Sequence, residues 1–225
     1  MKVLIACEES QATCIEFRKL RHEAYSCDIL EQSGGHPEWH IQGDCLIEAY
    51  SGKYDLMVAH PPCTYLALSG NRWLYNEDGS KNEERWEKQK QALDFVRKLL
   101  NAPIKHIALE NPISVISSQI RKPNQIVQPY MFGDKAQKST CLWLKNLPLL
   151  KPTNIVDKGE FFEWIDGKTG KKKKQPLWFY EALQKAKSPE ERRTLRSKTF
   201  KGMAQAFAEQ WGDLSNYYKQ TKLDL

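Results

Sequence analysis

The chemistry most legible in this chain belongs to a thiol and a carboxylate. Pro61-Pro62-Cys63 follows the apolar run Tyr54 to Ala59, and prolines after a strand force an extended, non-helical exit. Such a turn can hold a thiol at the mouth of a cleft. A cysteine thiolate is the side chain most easily activated for attack on a ring carbon such as C6 of a pyrimidine. Glu110-Asn111-Pro112 closes the next apolar run, Ile104 to Leu109. A carboxyl that is protonated, or that shares a proton, can hydrogen-bond a ring nitrogen and favour that addition. Taken singly, each residue has a plainer reading: Cys63 as a small buried hydrophobe, Glu110 as a solvated turn acid. Their placement at the ends of two core strands favours the chemical reading.

The elements that must position them follow from apolar periodicity. Val3 to Cys7 reads as a buried strand and Gln11 to Leu20 as the helix after it. Ala24 to Asp28 and Tyr54 to Ala59 read as further strands, Glu83 to Leu100 as an amphipathic helix, and Ile104 to Leu109 as its partner strand. A short strand is expected at Cys141 to Leu144 and a helix at Gly202 to Trp211. Alternating strands and helices predict an α/β fold with a doubly wound, mostly parallel sheet, in which ligands sit beyond the carboxyl ends of the strands. Glu8, Asp28, Cys63 and Glu110 all fall at such ends. Three segments are expected: a core over 1–150, an inserted basic and aromatic loop or small lobe over 151–196, and a C-terminal stretch, 197–225, whose helix returns to the core.

The order of motifs resembles the cytosine-5 DNA methyltransferase family, whose catalytic loop has Pro-Cys after a strand and whose next core strand ends in Glu-Asn-Val. Here these stand as Pro62-Cys63 and Glu110-Asn111-Pro112. Gly43-Asp44 resembles the family's Gly-Asp cofactor motif, Phe132-Gly133 through Gln137 its Tyr-Gly to Pro-Gln segment, and Gly202 its closing Gly-Asn motif. The chain is most similar to small methyltransferase-like proteins of phages and prophages, in which Pro-Pro-Cys-Thr, Glu-Asn-Pro, Thr-Cys-Leu-Trp-Leu and Gln-Trp-Gly recur. In this sequence they are Pro61 to Thr64, Glu110 to Pro112, Thr140 to Leu144 and Gln210 to Gly212.

The resemblance implies a Rossmann-like methyltransferase fold, S-adenosylmethionine as cofactor and DNA as substrate. It makes Cys63, Glu110 and Asn111 catalytic, with Asn111 fixing the loop. The family's first loop, Phe-x-Gly-x-Gly, reads here as Ala6-Cys7-Glu8-Glu9-Ser10-Gln11 with no glycine, so cofactor binding would rest on other donors. Ser10 and Gln11, opening a helix, would face the cofactor carboxylate, and Glu8 its ammonium; an ordinary helix cap by Ser10 is the alternative. Asp28 would bind ribose and Asp44 would lie near adenine, with Ala6, Pro61 and Gly202 completing the cofactor set. No metal is implied.

The family's Gln-x-Arg-x-Arg motif reads Gln137-Lys138-Ser139-Thr140-Cys141, so Lys138 stands where an arginine would. Only about sixty residues separate Cys141 from Gly202, well below the usual domain range, so a full recognition domain is absent and sequence discrimination should be modest. Arg72, Lys138 and Thr140 are candidate nucleic-acid contacts. So are Lys172 and Lys173, in the run Lys171 to Lys174 beside several aromatics, although such a run also reads as a solvated loop.

Composition is consistent with this. The chain has 225 residues, 40% of them hydrophobic, and a net charge of +6. Size and apolar content suit one folded core, and the charge suits a polyanion. Six cysteines without a Cys-x-x-Cys pair argue against a zinc knuckle or a secreted disulfide scaffold. No stretch has the length of a membrane span, so a soluble cytoplasmic protein of a bacterial or phage-infected cell is expected, with no obligate protein partner. Three alternatives stay open: an amino methyltransferase using the His60-Pro61-Pro62-Cys63 loop, a cofactor-less nucleic-acid-binding module, and RNA or a free nucleotide in place of DNA.

Overall fold

The computed structural model describes residues 1–188, 191, 195 and 199–215; parts of the expected 151–196 and 197–225 segments lie outside the described residues. Seven strands form the main sheet: β1 (Lys2–Ala6), β2 (Glu23–Asp28), β3 (His40–Gln42), β4 (Leu56–Ala59), β5 (His106–Pro112), β6 (Gln125–Val127) and β7 (Thr140–Lys145). Their spatial order is β3-β2-β1-β4-β5-β7-β6. From β3 to β5 every pairing is parallel, and β7 alone runs antiparallel between β5 and β6. The sheet is accompanied by the helices α1 (Ala12–Lys19), α2 (Cys45–Ala49), α3 (Glu83–Leu100), α4 (Ile116–Gln119), α5 (Leu177–Lys185) and α6 (Lys201–Trp211).

Successive strand side chains point to opposite faces, and both faces of this sheet are covered. Val3, Ile5, Leu56 and Val58 pack with Phe17 of α1 and with Phe207 and Trp211 of α6. Leu4, Ala6, Met57 and Ala59 pack with Leu93, Val96 and Leu99 of α3. Strands buried on both sides read as unbroken apolar runs, which is why β1 and β4 are plain in the sequence. The α3 helix begins where Asn82 accepts a hydrogen bond from the Arg85 amide, with Glu83 and Glu84 in its first turn and Arg97 and Lys98 in its last, charges that suit the helix dipole.

The expected doubly wound, mostly parallel α/β architecture is what the chain adopts. The order reverses between β1 and β4: the chain leaves β1 for β2 and β3 on one side, then crosses to β4 and β5 on the other. Ligands bind outside the carboxyl ends of the strands at such a reversal.

Four local readings need correction. The strand expected at Tyr54 starts at Leu56, because Asp55 turns its carboxylate back onto the Lys2 amide at 2.8 Å. β5 runs past Leu109 through Pro112, since β7 pairs with Glu110, Asn111 and Pro112. Helix α1 is preceded by Gln11 in a left-handed conformation, φ 58°, so Ser10 is not its cap. The lysine run belongs largely to a strand: β8 (Phe161–Ile165) and β9 (Lys172–Pro176) form a separate two-stranded hairpin followed by α5. Among the described residues, no helix is long and apolar enough to cross a membrane.

Candidate active site

The loop carrying the thiol is tied to the strand carrying the carboxylate by two hydrogen bonds. His60 Nδ1 lies 3.2 Å from Glu110 Oε2, and Asn111 Nδ2 donates to the Pro61 carbonyl at 2.8 Å. Pro61 has no N–H of its own to give, so its carbonyl is the handle by which β5 holds this turn. Beyond it stands the half-buried Cys63, which is in no disulfide; its carbonyl accepts from the Leu66 and Ala67 amides at 3.0 and 2.9 Å. Helix α3 clamps the far side: Arg85 Nη2 donates to the Thr64 carbonyl and Gln89 Nε2 to the Tyr65 carbonyl, each at 3.0 Å. Cys63 therefore sits on a backbone fixed from two directions. The remaining Asn111 oxygen, Oδ1, is buried and has no hydrogen-bond partner among the described residues, an omission that costs about 1–3 kcal/mol.

Glu110 and His60 form a buried pair. Burial alone would lift the Glu110 carboxyl, but the His60 hydrogen bond, the nearby Lys138 charge and the charge of His60 outweigh it and hold the group below the ordinary glutamate value. For His60, burial would favour the neutral ring, yet the Glu110 hydrogen bond and charge, with a smaller push from Glu8 against the opposing Lys138, raise it above the ordinary histidine value. The second ring nitrogen, Nε2, lies 3.4 Å from Thr13 Oγ1. The sequence reading expects a carboxyl that is protonated or shares a proton; the structure sets Glu110 beside an imidazole with which a proton can be shared, and the two shifts, Glu110 down and His60 up, favour the ion pair. A narrow cleft of about 10 Å³, room for one water, lies against Glu110 and is lined by Lys138, Thr140, Phe200, Met203 and Phe207. The larger groove beside α1, lined by Arg18, His22, His36 and Trp39 among others, shares no residue with it.

At the carboxyl ends of β1 and β2 the expected cofactor residues divide into two groups. Some are occupied by the fold. The Glu8 carboxylate, only 4% exposed, accepts from the Thr13 and Cys14 amides at 2.7 and 3.1 Å and so caps α1 itself. Gln11 is fully buried and bridges both the carbonyl and the amide of His36. The amides of Cys7 and Glu8 both turn to the Cys27 carbonyl, and Ala6 is core. An anion-binding cradle at the head of α1 is thus closed by the chain's own carboxylate. The other group faces outward. Beside them stands Glu9, which the sequence reading does not name as a cofactor residue; burial and the charges of Asp28 and Glu8 raise its carboxyl against smaller opposing contributions from Ser10 and His40. Exposed Ile29 and Leu30 follow Asp28 directly, and Asp44 caps α2 through the Leu46 amide at 2.9 Å. Carboxylates beside apolar side chains fit the ammonium, ribose and adenine of S-adenosylmethionine; the methionine carboxylate finds no glycine cradle here.

The other expected residues scatter. Lys138 and Thr140 line the Glu110 cleft, with Thr140 donating to the Lys138 carbonyl at 3.1 Å. Arg72 is exposed and lies over the Trp73 ring, 4.4 Å from its centroid. Lys172 pairs with Glu163 at 2.6 Å and Lys173 with Asp166, both within the hairpin. Gly202 has a packing role: its amide donates to Asp134 Oδ2 at 2.9 Å, and an added Cβ would stand 1.8 Å from the Phe132 carbonyl oxygen. Its place against Phe132, not at the β1 crevice, is what requires glycine.

Two participants lie beyond what the sequence reading names as site residues. His60 enters that reading only as part of a four-residue loop pattern, and Thr13 not at all. A histidine three residues before the thiol is the available signal for the first; Thr13 reaches the site only because α1 folds back over β1 and β4.

No protein-family model and no curated protein matches the chain. Among solved structures, one similar chain is a proposed DNA modification methyltransferase encoded within a prophage (E. coli), with a TM-score of 0.41 and 11% sequence identity over 70% of this chain and 52% of that one. This chain thus spans about half the length of that structure, and so distant a likeness carries no functional argument.

Proposed function

We propose that the chain is an S-adenosylmethionine-dependent methyltransferase acting on carbon 5 of cytosine in DNA, with Cys63 as nucleophile and Glu110 as its partner on the base. The observation that carries this reading is the double tie of the Cys63 loop to β5, through His60 to Glu110 and through Pro61 to Asn111. Thiol and carboxylate thereby leave adjacent parallel strands at the carboxyl end where this fold class binds ligands.

A stacked cytosine hides its carbon 6, so the base is extruded, at a cost of a few kcal/mol. The cleft beside Glu110 is too small for a pyrimidine as it stands, so Phe200, Met203 and Phe207 must yield. The Cys63 thiolate bonds to carbon 6, the ring electrons move toward the ring nitrogen, and that nitrogen takes the proton that Glu110 shares with His60. The bound cofactor supplies the methyl group that carbon 5 acquires. Loss of the carbon-5 proton and cleavage of the S–C6 bond then restore Cys63. Glu9 and Asp28 would hold the ammonium and ribose of the cofactor, and Asn111 keeps the thiol loop in register.

An amino-methyltransferase reading asks the residue at position 60 to grip the target amine. Both ring nitrogens of His60 are engaged elsewhere, with Glu110 and Thr13, which favours the carbon-5 reading. Incubation with methyl-tritiated S-adenosylmethionine and cytosine-containing duplex DNA, followed by nucleoside analysis, tests it. The expected outcome is label in 5-methylcytosine that falls on the order of 10³-fold or more in Cys63→Ala. Label in an amino-methylated base would overturn the carbon-5 assignment; transfer confined to RNA or free nucleotides would overturn the DNA assignment.

A further inference from the structure

We infer that His60 is a positioning residue that stores, beside Glu110, the proton delivered to the cytosine ring nitrogen when Cys63 adds to carbon 6. The inference rests on the carbon-5 reading and deepens it. Addition of a thiolate to carbon 6 leaves the ring with an extra electron pair, and the ring nitrogen must gain a proton if that pair is to be used at carbon 5. A lone protonated glutamate could supply it. Here Glu110 is bonded to an imidazole on its buried side and lines the cleft on the other, so it stands between the proton store and the base.

The balance is simple. At addition the S–C6 bond forms, the ring nitrogen takes a proton from Glu110, and Glu110 takes one from His60 Nδ1, leaving a neutral imidazole and an ionised carboxylate. At release the S–C6 bond breaks and the proton returns along the same path, so the pair ends as it began. Only the carbon-5 proton leaves the site. His60 is not aimed at the thiol: Nδ1 serves Glu110 and Nε2 faces Thr13 Oγ1. The groups that bear on its charge are Glu110 of β5, Glu8 after β1 and Lys138 before β7, with Thr13 of α1 at hydrogen-bond distance and the Phe207 ring of α6 packed 6.4 Å away. Two carboxylates against one lysine favour the protonated ring.

The test compares the pH dependence of carbon-5 methyl transfer in the wild type and in His60→Gln, which keeps a hydrogen-bond donor for Glu110 but carries no titratable proton. The wild type should lose kcat as pH rises through the His60 value, above that of an ordinary histidine. In His60→Gln, kcat should fall about 100-fold with KM nearly unchanged, and the basic limb should vanish. In parallel, NMR titration of histidine-labelled protein, with the His60 signal identified by its absence in His60→Gln, should show His60 titrating above the ordinary value in the wild type and lower in Glu110→Gln. Carbon-5 transfer with an unchanged basic limb in His60→Gln would overturn this inference and leave the proposed function standing, as would a His60 that titrates below the ordinary value. Failure of the wild type to modify carbon 5 of cytosine would overturn both.

Discussion

Carboxylates meet cations in two regions of this molecule, and the meetings differ in kind. At the ends of β4 and β5, His60 and Glu110 face each other with side chains only 10% and 16% exposed. In the β8–β9 hairpin, Lys172 and Lys173 meet Glu163 and Asp166 with the lysines 67% and 48% exposed. Exposed pairs exchange one set of water contacts for another and contribute little. A buried pair has lost its water, so each charge depends on its partner, and removing one strands the other. The most conspicuous charge feature of the sequence, the run Lys171 to Lys174, is therefore partly engaged by neighbouring acids, while a single histidine is the charge whose setting matters.

The sharpest way to break the buried pair is His60→Leu, which leaves Glu110 ionised without its partner. A loss of about 3 kcal/mol in unfolding free energy is expected near pH 6, read from urea denaturation. The gap should narrow toward pH 4, where Glu110 can escape by protonation. In the wild type, Glu110 is held below its ordinary value of 4.5, so its contribution is present above that pH and lost as pH falls through the folded value. His60 is held above 6.5, so its contribution is complete below that pH and lost as pH rises through the folded value. Stability from the pair should thus be greatest between 4.5 and 6.5.

A smaller effect is expected at Glu8, a buried carboxylate satisfied by backbone amides and not by a cation. Glu8→Ala should cost about 1–2 kcal/mol and accelerate hydrogen exchange at the Thr13 and Cys14 amides ahead of the rest of α1. Unchanged exchange at those two amides would remove the capping role. The smallest effect belongs to the hairpin: Lys172→Ala with Lys173→Ala should leave the denaturation midpoint where it is. The same double variant sharpens the comparison on DNA. If these lysines reached phosphate, the slope of log affinity against log salt would fall by about 1 for each; a slope unchanged by the substitutions would confine them to the hairpin.

Much of the framework is legible in the sequence because it is local. Apolar runs mark β1, β4 and β5, and the capped, periodic stretch 83–100 coincides with α3. The three-residue edge strands β3 and β6 are not legible, since three residues carry no usable period and their pairing is set by neighbours. At the site, Cys63 and Glu110 can be picked out by residue type and by position after a strand. Glu8 and Gln11 can be named, but their roles cannot be told apart in advance. Nothing in their spacing distinguishes a helix cap or a loop bridge from a ligand contact, and the fold uses them for the first two.

The sequence by itself determined the alternation of strands and helices, the thiol after one strand and the carboxylate on the next, because hydrophobic period and proline chemistry act over a few residues. Only the tertiary structure decided what that carboxylate meets. Glu110 meets His60 across fifty positions of sequence, Thr13 and Lys138 arrive from further elements, and burial removes the water that would otherwise set each charge independently. Protonation in a buried site depends on neighbours in space, and those neighbours exist only once β4 and β5 lie side by side.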